Sequence, residues 1–389
     1  MIKYNKKAAK TPCLLYDCYV YPFHFQGDSL RMETLFERSE AMEHSLRELY
    51  VSYGYRLYKM SKFEPYDLYL QNRSFVTGGN ILTFTDTDGR LMALKPDVTL
   101  SVIKNYRGGQ QKICYHENVY RDTGASHEFR EIPQAGLECI GEIDRYTQLE
   151  VLTLAAESLR RISDIAILDL ASVTFIQGLL EATCASDGVQ RELMDLLHEK
   201  NAHNLRQLCK RENVPEPLSR VWQKIAQMYG PVRELLPEVG ALCLNDRMRA
   251  AAAELGALCE LLSVGAGVSL NLDFSILQDL TYYDGLVFKG YVPGLHTSIL
   301  SGGCYGNLVK KLGKNAGAIG FAVYLDLLSQ LPAPSHPVDA DVLLRYGADD
   351  DPAAVMAKAA SLRAKGLAVR VQRQEDAGRY GRVERMGGD

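Results

Sequence analysis

The stretch DFSILQDLTYYDGLVF, residues 273–288, decides more about the fold and the site than any other part of the chain. Strand-like sequence precedes it at 268–272 and begins at its end, at 287–291, so the stretch connects two predicted strands. At its centre stand two adjacent tyrosines, Tyr282 and Tyr283. Such a pair usually packs in a core or at its rim, but its hydroxyls can also line a polar pocket.

Composition places the chain among ordinary soluble proteins of two or three domains. Its 389 residues are 47% hydrophobic and 24% charged, and a domain usually contains roughly 100–200 residues. No apolar run reaches the roughly 18 residues that a membrane span requires, and residues 1–10 do not form a secretory signal. The nine cysteines form no Cys-x-x-Cys pair, and the eight histidines show no metal-binding spacing. We therefore expect reduced thiols, no metal site and a cytoplasmic location.

The balance of charge argues against a large nucleic-acid interface. The net charge is −4, and the longest basic clusters, such as Lys310-Lys311, are short. Proteins that bind nucleic acids usually carry a basic excess or a basic face. We therefore expect no tRNA partner.

Hydrophobic periodicity predicts the order of helices and strands. Helices are predicted at 30–53, from 97 to 106, at 147–162 and at 316–331, with a helical block at 175–262. Strands are predicted at 56–63, 112–120, 134–141 and 165–170, and an Asp-Gly turn predicts a hairpin within 80–94. After a proline-rich linker at 332–337, the pattern at 341–372 predicts strand, helix, strand.

Three segments share an acidic and aromatic character that would suit a free amino acid. They contribute Asp97 and Thr99, then Gln134 and Glu138, and then the tyrosine pair. Carboxylates and hydroxyls bind an ammonium group, and a carboxylate is also a good partner for an imidazole. Spacing along the chain leaves open whether these segments meet.

Five segments, taken in order, resemble the motifs of the histidyl-tRNA synthetases, a class II synthetase family. They are 94–99 (LKPDVT), 120–138, 273–288, 302–305 (GGCY) and 320–325 (GFAVYL). Each is weak alone, but five in this order are specific. The resemblance implies an α/β (α+β) core at 1–333 with a mainly antiparallel sheet flanked by helices and a helical insertion at about 175–262. It also implies that 334–389 is a truncated βαβ remnant of an anticodon-binding-like domain with a disordered tail.

Several positions depart from the motifs of the synthetases, among them Asp279 in place of a glycine and Asp326 in place of a glutamate. The arginine before the tyrosine pair is Gln278, the arginine that closes the third motif is Leu327, and that of Gly-Gly-Arg-Tyr is Cys304. Ser61 stands where the first motif has proline. Adenylyl transfer needs cations where charge develops, and losing one such donor typically costs about 10²–10³ in rate. We therefore expect no catalytic residues and no amino-acid activation.

A retained pocket with lost arginines and a shortened C-terminal region resembles the regulatory subunits of ATP phosphoribosyltransferase, paralogues of histidyl-tRNA synthetase. The resemblance implies a non-catalytic protein of histidine biosynthesis, without a cofactor or a membrane partner. It would form a homodimer within a hetero-oligomer with a short-form catalytic subunit, and L-histidine would be its effector. The implied histidine-like pocket consists of Asp97, Thr99, Arg121, Gln134, Glu138, Tyr282 and Tyr283. The alternatives are a divergent ligase that activates a free amino acid and an inert synthetase-like structural subunit.

Overall fold

The computed structural model describes residues 38–72, 80–122, 129–277, 280, 282–331, 338–374 and 378–387. The strands are β1 (Arg56–Leu57), β2 (Phe63–Pro65), β3 (Thr83–Thr85), β4 (Leu91–Leu94), β5 (Gln111–Asp122), β6 (Phe129–Gly141), β7 (Ala166–Ser172), β8 (Tyr229–Pro231), β9 (Val268–Asp273), β10 (Leu286–Tyr291), β11 (Leu300–Cys304), β12 (Gly317–Tyr324), β13 (Ala340–Arg345), β14 (Val369–Gln372) and β15 (Tyr380–Arg385). The predictions for Gln278 and for the linker at 332–337 lie outside the described residues.

The described helices lie between these strands. They are α1 (Arg38–Ser52), α2 (Tyr66–Gln71), α3 (Thr99–Asn105), α4 (Arg145–Ile162), α5 (Val173–Thr183), α6 (Asp187–His198), α7 (Ala202–Arg211), α8 (Glu216–Gln227), α9 (Val232–Ala241), α10 (Asp246–Leu261), α11 (Gly306–Lys311) and α12 (Pro352–Ala364), with 3₁₀ helices at Phe274–Ile276 and Leu325–Gln330. None of the helices in these ranges has both the length and the apolar character needed to cross a bilayer.

Nine strands form one large sheet at the centre of the fold. Their order across the sheet is β1-β5-β6-β12-β11-β10-β7-β9-β8. The neighbours β1 and β5, and β7 and β9, are parallel, and the other neighbours are antiparallel. The predicted fold, with a mainly antiparallel sheet flanked by helices, is therefore confirmed.

Helix α4 packs directly on the large sheet. Its N-terminus is capped by Asp144, whose carboxylate accepts a hydrogen bond from the Thr147 backbone amide at 2.8 Å. Leu152 and Leu159 on its apolar face are fully buried. A side chain at Gly290 in β10 would approach Leu159 to 2.7 Å, so the glycine permits this close contact. Since burying one leucine stabilises a fold by about 1.5–3 kcal/mol, α4 is a main contributor to the core.

The chain between β7 and β9 is a block of six helices, α5 to α10. Asn245 links two of them, because its side chain caps α10 and donates to the Gly178 carbonyl in α5 at 2.8 Å. Trp222 is fully buried and donates to the Thr183 hydroxyl at 3.0 Å. The predicted helical character of 175–262 is confirmed, except that β8 interrupts it and pairs with β9 of the large sheet.

The C-terminal region forms a separate three-stranded sheet of order β14-β13-β15, with both pairings parallel. The predicted strand, helix and strand at 341–372 are confirmed, and Val355 and Ala359 of α12 pack on Leu344 of β13. The expected disordered tail is wrong for 378–387, because β15 pairs with β13 there. The side chains of β15 are mostly exposed. The strand is therefore held by its backbone hydrogen bonds, and its side-chain composition does not predict a strand. The division into domains at 1–333 and 334–389 stays a prediction.

Two predicted elements differ from the structure. The helix at 316–331 is wrong, since its first half is β12 and its second half is a 3₁₀ helix. The strand at 56–63 is divided between β1, which pairs with β5, and β2, which pairs with β4 in a smaller sheet. The predicted hairpin at 80–94 is confirmed, because β3 and β4 are antiparallel and Gly89 takes a φ of +78° in the turn.

Candidate functional site

A cavity of about 490 Å³ lies against the face of the large sheet formed by β6, β12, β11 and β10. All seven residues predicted for the pocket line this cavity: Asp97, Thr99, Arg121, Gln134, Glu138, Tyr282 and Tyr283. Spacing along the chain could not establish that these segments meet, and the structure brings all seven together.

Glu138 is a buried carboxyl group held by two hydroxyls. Thr99 Oγ1 donates to Glu138 Oε1 at 2.8 Å, and the Tyr305 hydroxyl donates to Oε2. Burial raises the pKa of Glu138 to about 8, although both hydrogen bonds lower it. Glu138 is therefore mainly in its protonated form at pH 7 in the unliganded protein, and it can donate to, or transfer its proton to, a ligand nitrogen.

Asp97 enters the cavity at the start of α3. Its Oδ1 accepts a hydrogen bond from the Leu100 backbone amide at 2.9 Å. Burial raises the pKa of Asp97, and the Arg121 guanidinium, with Nη2 at 3.8 Å from Oδ2, opposes this rise. Lys95, two positions earlier, is fully buried and is paired with Glu117 at 2.7 Å. The turn into α3 therefore presents acidic and hydroxyl groups to the cavity, while its lysine is used elsewhere.

Aromatic rings form one wall of the cavity. Tyr282 and Tyr283 meet edge to face with centroids 4.7 Å apart, and the Tyr305 ring lies 6.2 Å from that of Tyr282. A side chain at Gly303 would approach the Tyr283 ring to 2.7 Å, so glycine is required beneath this ring. Burial raises the pKa of all three tyrosines. They are therefore neutral hydrogen-bonding groups in the wall of the pocket.

Gln134 offers a donor that the protein does not use. It lies four residues before Glu138 on β6, on the same face of the strand, and is 2% exposed. Its Nε2 has no hydrogen-bond partner among the described residues. Leaving a buried polar group unpaired costs about 1–3 kcal/mol. A ligand with an acceptor at this position would remove that cost.

The positions where synthetase motifs carry arginine do not supply free cations to the described cavity. Cys304 is buried, burial raises its pKa to about 12, and it does not line the cavity. Leu327 lines the cavity with an apolar side chain, and Gln278 lies outside the described residues. Arg121 lines the cavity, but its Nε donates to a backbone carbonyl at 2.7 Å and its Nη2 faces Asp97.

Tyr305 and Lys289 are among the lining residues that were not predicted from the sequence. Tyr305 directly follows the Gly-Gly-Cys segment, so its position could have been inferred from the motif. Lys289 follows Val287 by two positions in β10, and strand periodicity places both on the face that carries the cavity. In the part of the chain that the structure describes, no group of three or more His, Cys, Asp or Glu side chains is placed to hold a metal ion.

The large antiparallel sheet and the polar pocket on its face define a protein of the class II synthetase type. Residues 30–328 match the sequence profile of the family described as histidyl-tRNA synthetase. That match covers more than half of the chain, and the chain therefore belongs to the histidyl-tRNA synthetase family.

Curated relatives carry a more particular name. The ATP phosphoribosyltransferase regulatory subunit of Alkaliphilus metalliredigens is 29% identical over 295 residues, which cover 73% of this chain and 74% of the relative. The protein of the same name from Acetivibrio thermocellus is 25% identical, over 93% of this chain and 90% of the relative.

Solved structures share the fold. A Bacillus halodurans protein described as an ATP phosphoribosyltransferase regulatory subunit/histidyl-tRNA synthetase has a TM-score of 0.75 at 24% identity, over 94% of this chain and 99% of that one. Histidyl-tRNA synthetase from Nostoc sp. has a TM-score of 0.70 at 18% identity, over 92% and 86%. A chain of the ATP phosphoribosyl transferase (HisG:HisZ) complex from Thermotoga maritima has a TM-score of 0.60 at 18% identity, over 75% and 98%.

Proposed function

We propose that this chain is a non-catalytic regulatory subunit of ATP phosphoribosyltransferase. It would be needed for the activity of a short catalytic subunit and for feedback inhibition by L-histidine in the first step of histidine biosynthesis. Relatives of that name, which align with 73% and 93% of the chain, support this function. So does the cavity, which keeps acidic and hydroxyl groups suited to an amino acid.

One observation carries the proposal: the side chains suited to an amino acid are kept, whereas the arginines that would bind phosphate are replaced. Glu138 keeps hydroxyl partners on both of its oxygens. Where adenylyl transfer would need cations, Leu327 is apolar and Cys304 lies in the core. Because one missing donor of this kind costs about 10²–10³ in rate, a site lacking two supports binding and not activation.

We expect L-histidine to bind with its imidazole against Glu138 and its ammonium group near Asp97, Thr99 and the side-chain oxygen of Gln134, which leaves the Gln134 Nε2 donor for an acceptor of the ligand. The proton on Glu138 suits this arrangement, because a free histidine side chain has a pKa of about 6.5 and accepts a hydrogen bond from a carboxyl group at pH 7. If the proton moves to the imidazole, an ion pair forms in a buried site without a net uptake of protons. The binding heat at pH 7 should then depend little on the ionisation heat of the buffer.

The assembly follows from the proposed role. We expect a homodimer, as is usual for soluble oligomers, within a hetero-oligomer that contains the short catalytic subunit. A regulator acts only if histidine binds two states of that complex unequally. Binding at the catalytic subunit must then change the affinity for histidine by the same factor as histidine changes the affinity there. We propose a cytoplasmic location, without tRNA or a cofactor.

Reconstitution with a short-form ATP phosphoribosyltransferase catalytic subunit tests this function. The two chains should co-elute on size exclusion, and activity should require this chain and fall when L-histidine is added. Absence of a complex, or a complex whose activity ignores both this chain and histidine, would favour an inert structural subunit. ATP–pyrophosphate exchange dependent on an amino acid would favour a ligase.

A further inference from the structure

The charged groups that line the cavity differ in how far the protein itself uses them. Asp97, Glu138 and Asp326 are the acidic groups of the described lining, and Arg121 and Lys289 are its cations. Arg121 is engaged by a backbone carbonyl and by Asp97. Lys289 forms no hydrogen bond or ion pair with any residue that the structure describes. Among the described lining residues, it is therefore the cation available to a ligand.

The surroundings of Lys289 suit an anion. Ser301 lies opposite Lys289 in the β10–β11 ladder, and the hydroxyl residues Thr297 and Ser298 line the same cavity. Burial lowers the pKa of Lys289, and the negative charge of Asp273 opposes this effect. Asp273, however, is already in an ion pair with Lys200. A partly buried ammonium group without a counter-charge is unfavourable, and a ligand carboxylate would relieve this.

The sheet sets the distance between Lys289 and Glu138. Their strands, β10 and β6, are separated by β11 and β12, and a strand spacing of about 4.8 Å puts the two strands about 14 Å apart. Across the ladder Lys289 lies opposite Gly136, two residues from Glu138, so the backbones of Lys289 and Glu138 are about 16 Å apart. The lining positions between them hold the small residues Ser301, Gly320 and Ala322, which leave space for a ligand above the sheet. The lysine and glutamate side chains shorten the gap, so one amino acid with a polar side chain can span it.

We propose that Lys289 binds the α-carboxylate of the amino acid whose side chain meets Glu138. This inference rests on the histidine pocket proposed above. It assigns to β10 the charge that the motif arginine at position 278 would otherwise supply. A free amino acid is a zwitterion, and the described cavity then holds a partner for each end: acidic groups for the ammonium and Lys289 for the carboxylate.

The test compares L-histidine with L-histidinol, in which an alcohol replaces the carboxylate. Calorimetry on the full chain should find histidine at least about tenfold tighter than histidinol, which corresponds to about 1.4 kcal/mol. Lys289→Met should weaken histidine by about tenfold or more and leave histidinol within about twofold. Lys289→Arg, which keeps the charge, should retain the preference. Lys310→Met, an exposed residue of α11, is the matched control and should change neither affinity.

Several outcomes would overturn the assignment. Equal affinities of the wild type for the two ligands, or equal weakening of both by Lys289→Met, would show that Lys289 does not read the carboxylate. If Lys289→Met does not fold, Lys289→Gln takes its place with the same expected loss of preference. A wild-type chain that binds neither ligand removes the proposed pocket function itself, and this result differs from a failure of Lys289 alone.

Discussion

Replacing Glu138 with glutamine should stabilise the unliganded protein at alkaline pH and change its stability little at acidic pH. Thr99 and Tyr305 both donate to the Glu138 carboxyl group, and the Glu138 side chain is only 2% exposed to solvent. Glutamine has nearly the same shape, and both hydroxyls can reorient to pair with its amide. The substitution therefore removes the charge of position 138 and keeps most of its packing.

The magnitude follows from the change in the pKa of Glu138 on folding. The ordinary value is 4.5 and the folded value is about 8. Because the folded pKa is the higher one, the folded state keeps a proton that the unfolded state has lost between these values. The wild type is therefore destabilised as pH rises through this window, by up to about 1.4 kcal/mol per pH unit and about 5 kcal/mol in total. We expect Glu138→Gln to recover about 2–5 kcal/mol near pH 9.

Urea unfolding of both proteins between about pH 5 and about pH 9 measures this difference. The single tryptophan, Trp222, is buried in the helical block, so its fluorescence can be compared with circular dichroism as a check of two-state behaviour. Glu254→Gln, at an exposed position of α10, is the control for the loss of a carboxylate. A free-energy difference between wild type and Glu138→Gln that stays constant with pH would refute the reasoning.

Three further predictions concern the cavity. L-histidine at about a hundred times its dissociation constant should stabilise the chain by about 2.7 kcal/mol in a thermal shift assay, and Glu138→Ala should abolish the shift; a shift that survives the substitution contradicts the pocket. Gly320→Ala should destabilise the fold by about 1–3 kcal/mol in urea and prevent histidine binding, because the new methyl group would overlap the Glu138 carboxylate and the Leu137 carbonyl; wild-type affinity in this variant would disprove the geometry. ATP–pyrophosphate exchange should stay at background in the wild type, and an exchange rate of synthetase size that Arg121→Ala removes would contradict the proposed loss of activation.

Elements whose cause is local could be predicted from the sequence. The hairpin of β3 and β4 follows from the turn at 86–89, in which Asp86 Oδ1 accepts from the backbone amides of Asp88 and Arg90. Helix α4 follows from its apolar periodicity and the Asp144 cap. Both depend on residues within a few positions of each other, which a pattern can register.

Elements whose cause is distant could not be predicted in this way. In β12, Gly320 lies beneath the Glu138 carboxylate and Gly317 packs against Ile143, and both partners are far away in sequence. The alanines and glycines of that stretch therefore predict a helix, because the contacts that make it a strand are not visible in the local pattern. Strand β15 likewise depends on backbone pairing with β13, forty residues before it in the register Ala340 to Tyr380.

The residues of the site were predicted from the order of the family motifs and not from their spacing along the chain. Asp97, Glu138 and Tyr283 are far apart along the chain, and nothing local indicates that they meet. Lys289 was missed because no motif marks it, although the alternation of β10 places it beside Val287 on the cavity face. Whether these residues bind histidine stays a prediction.

Strand β9 joins the helical block to the wall of the cavity. It pairs with β7 on one side and with β8 of the block on the other, and it continues into Phe274–Ile276. The His198 ring is hydrogen-bonded to the Ser275 carbonyl at 2.8 Å, and Lys200 is paired with Asp273 at 2.7 Å. Because Ile276 lines the cavity, the block covers this wall from behind. The amide hydrogens by which β9 pairs with β8 should therefore exchange with solvent only when the block separates from this strand, so their exchange reports how often the wall of the cavity loses its support.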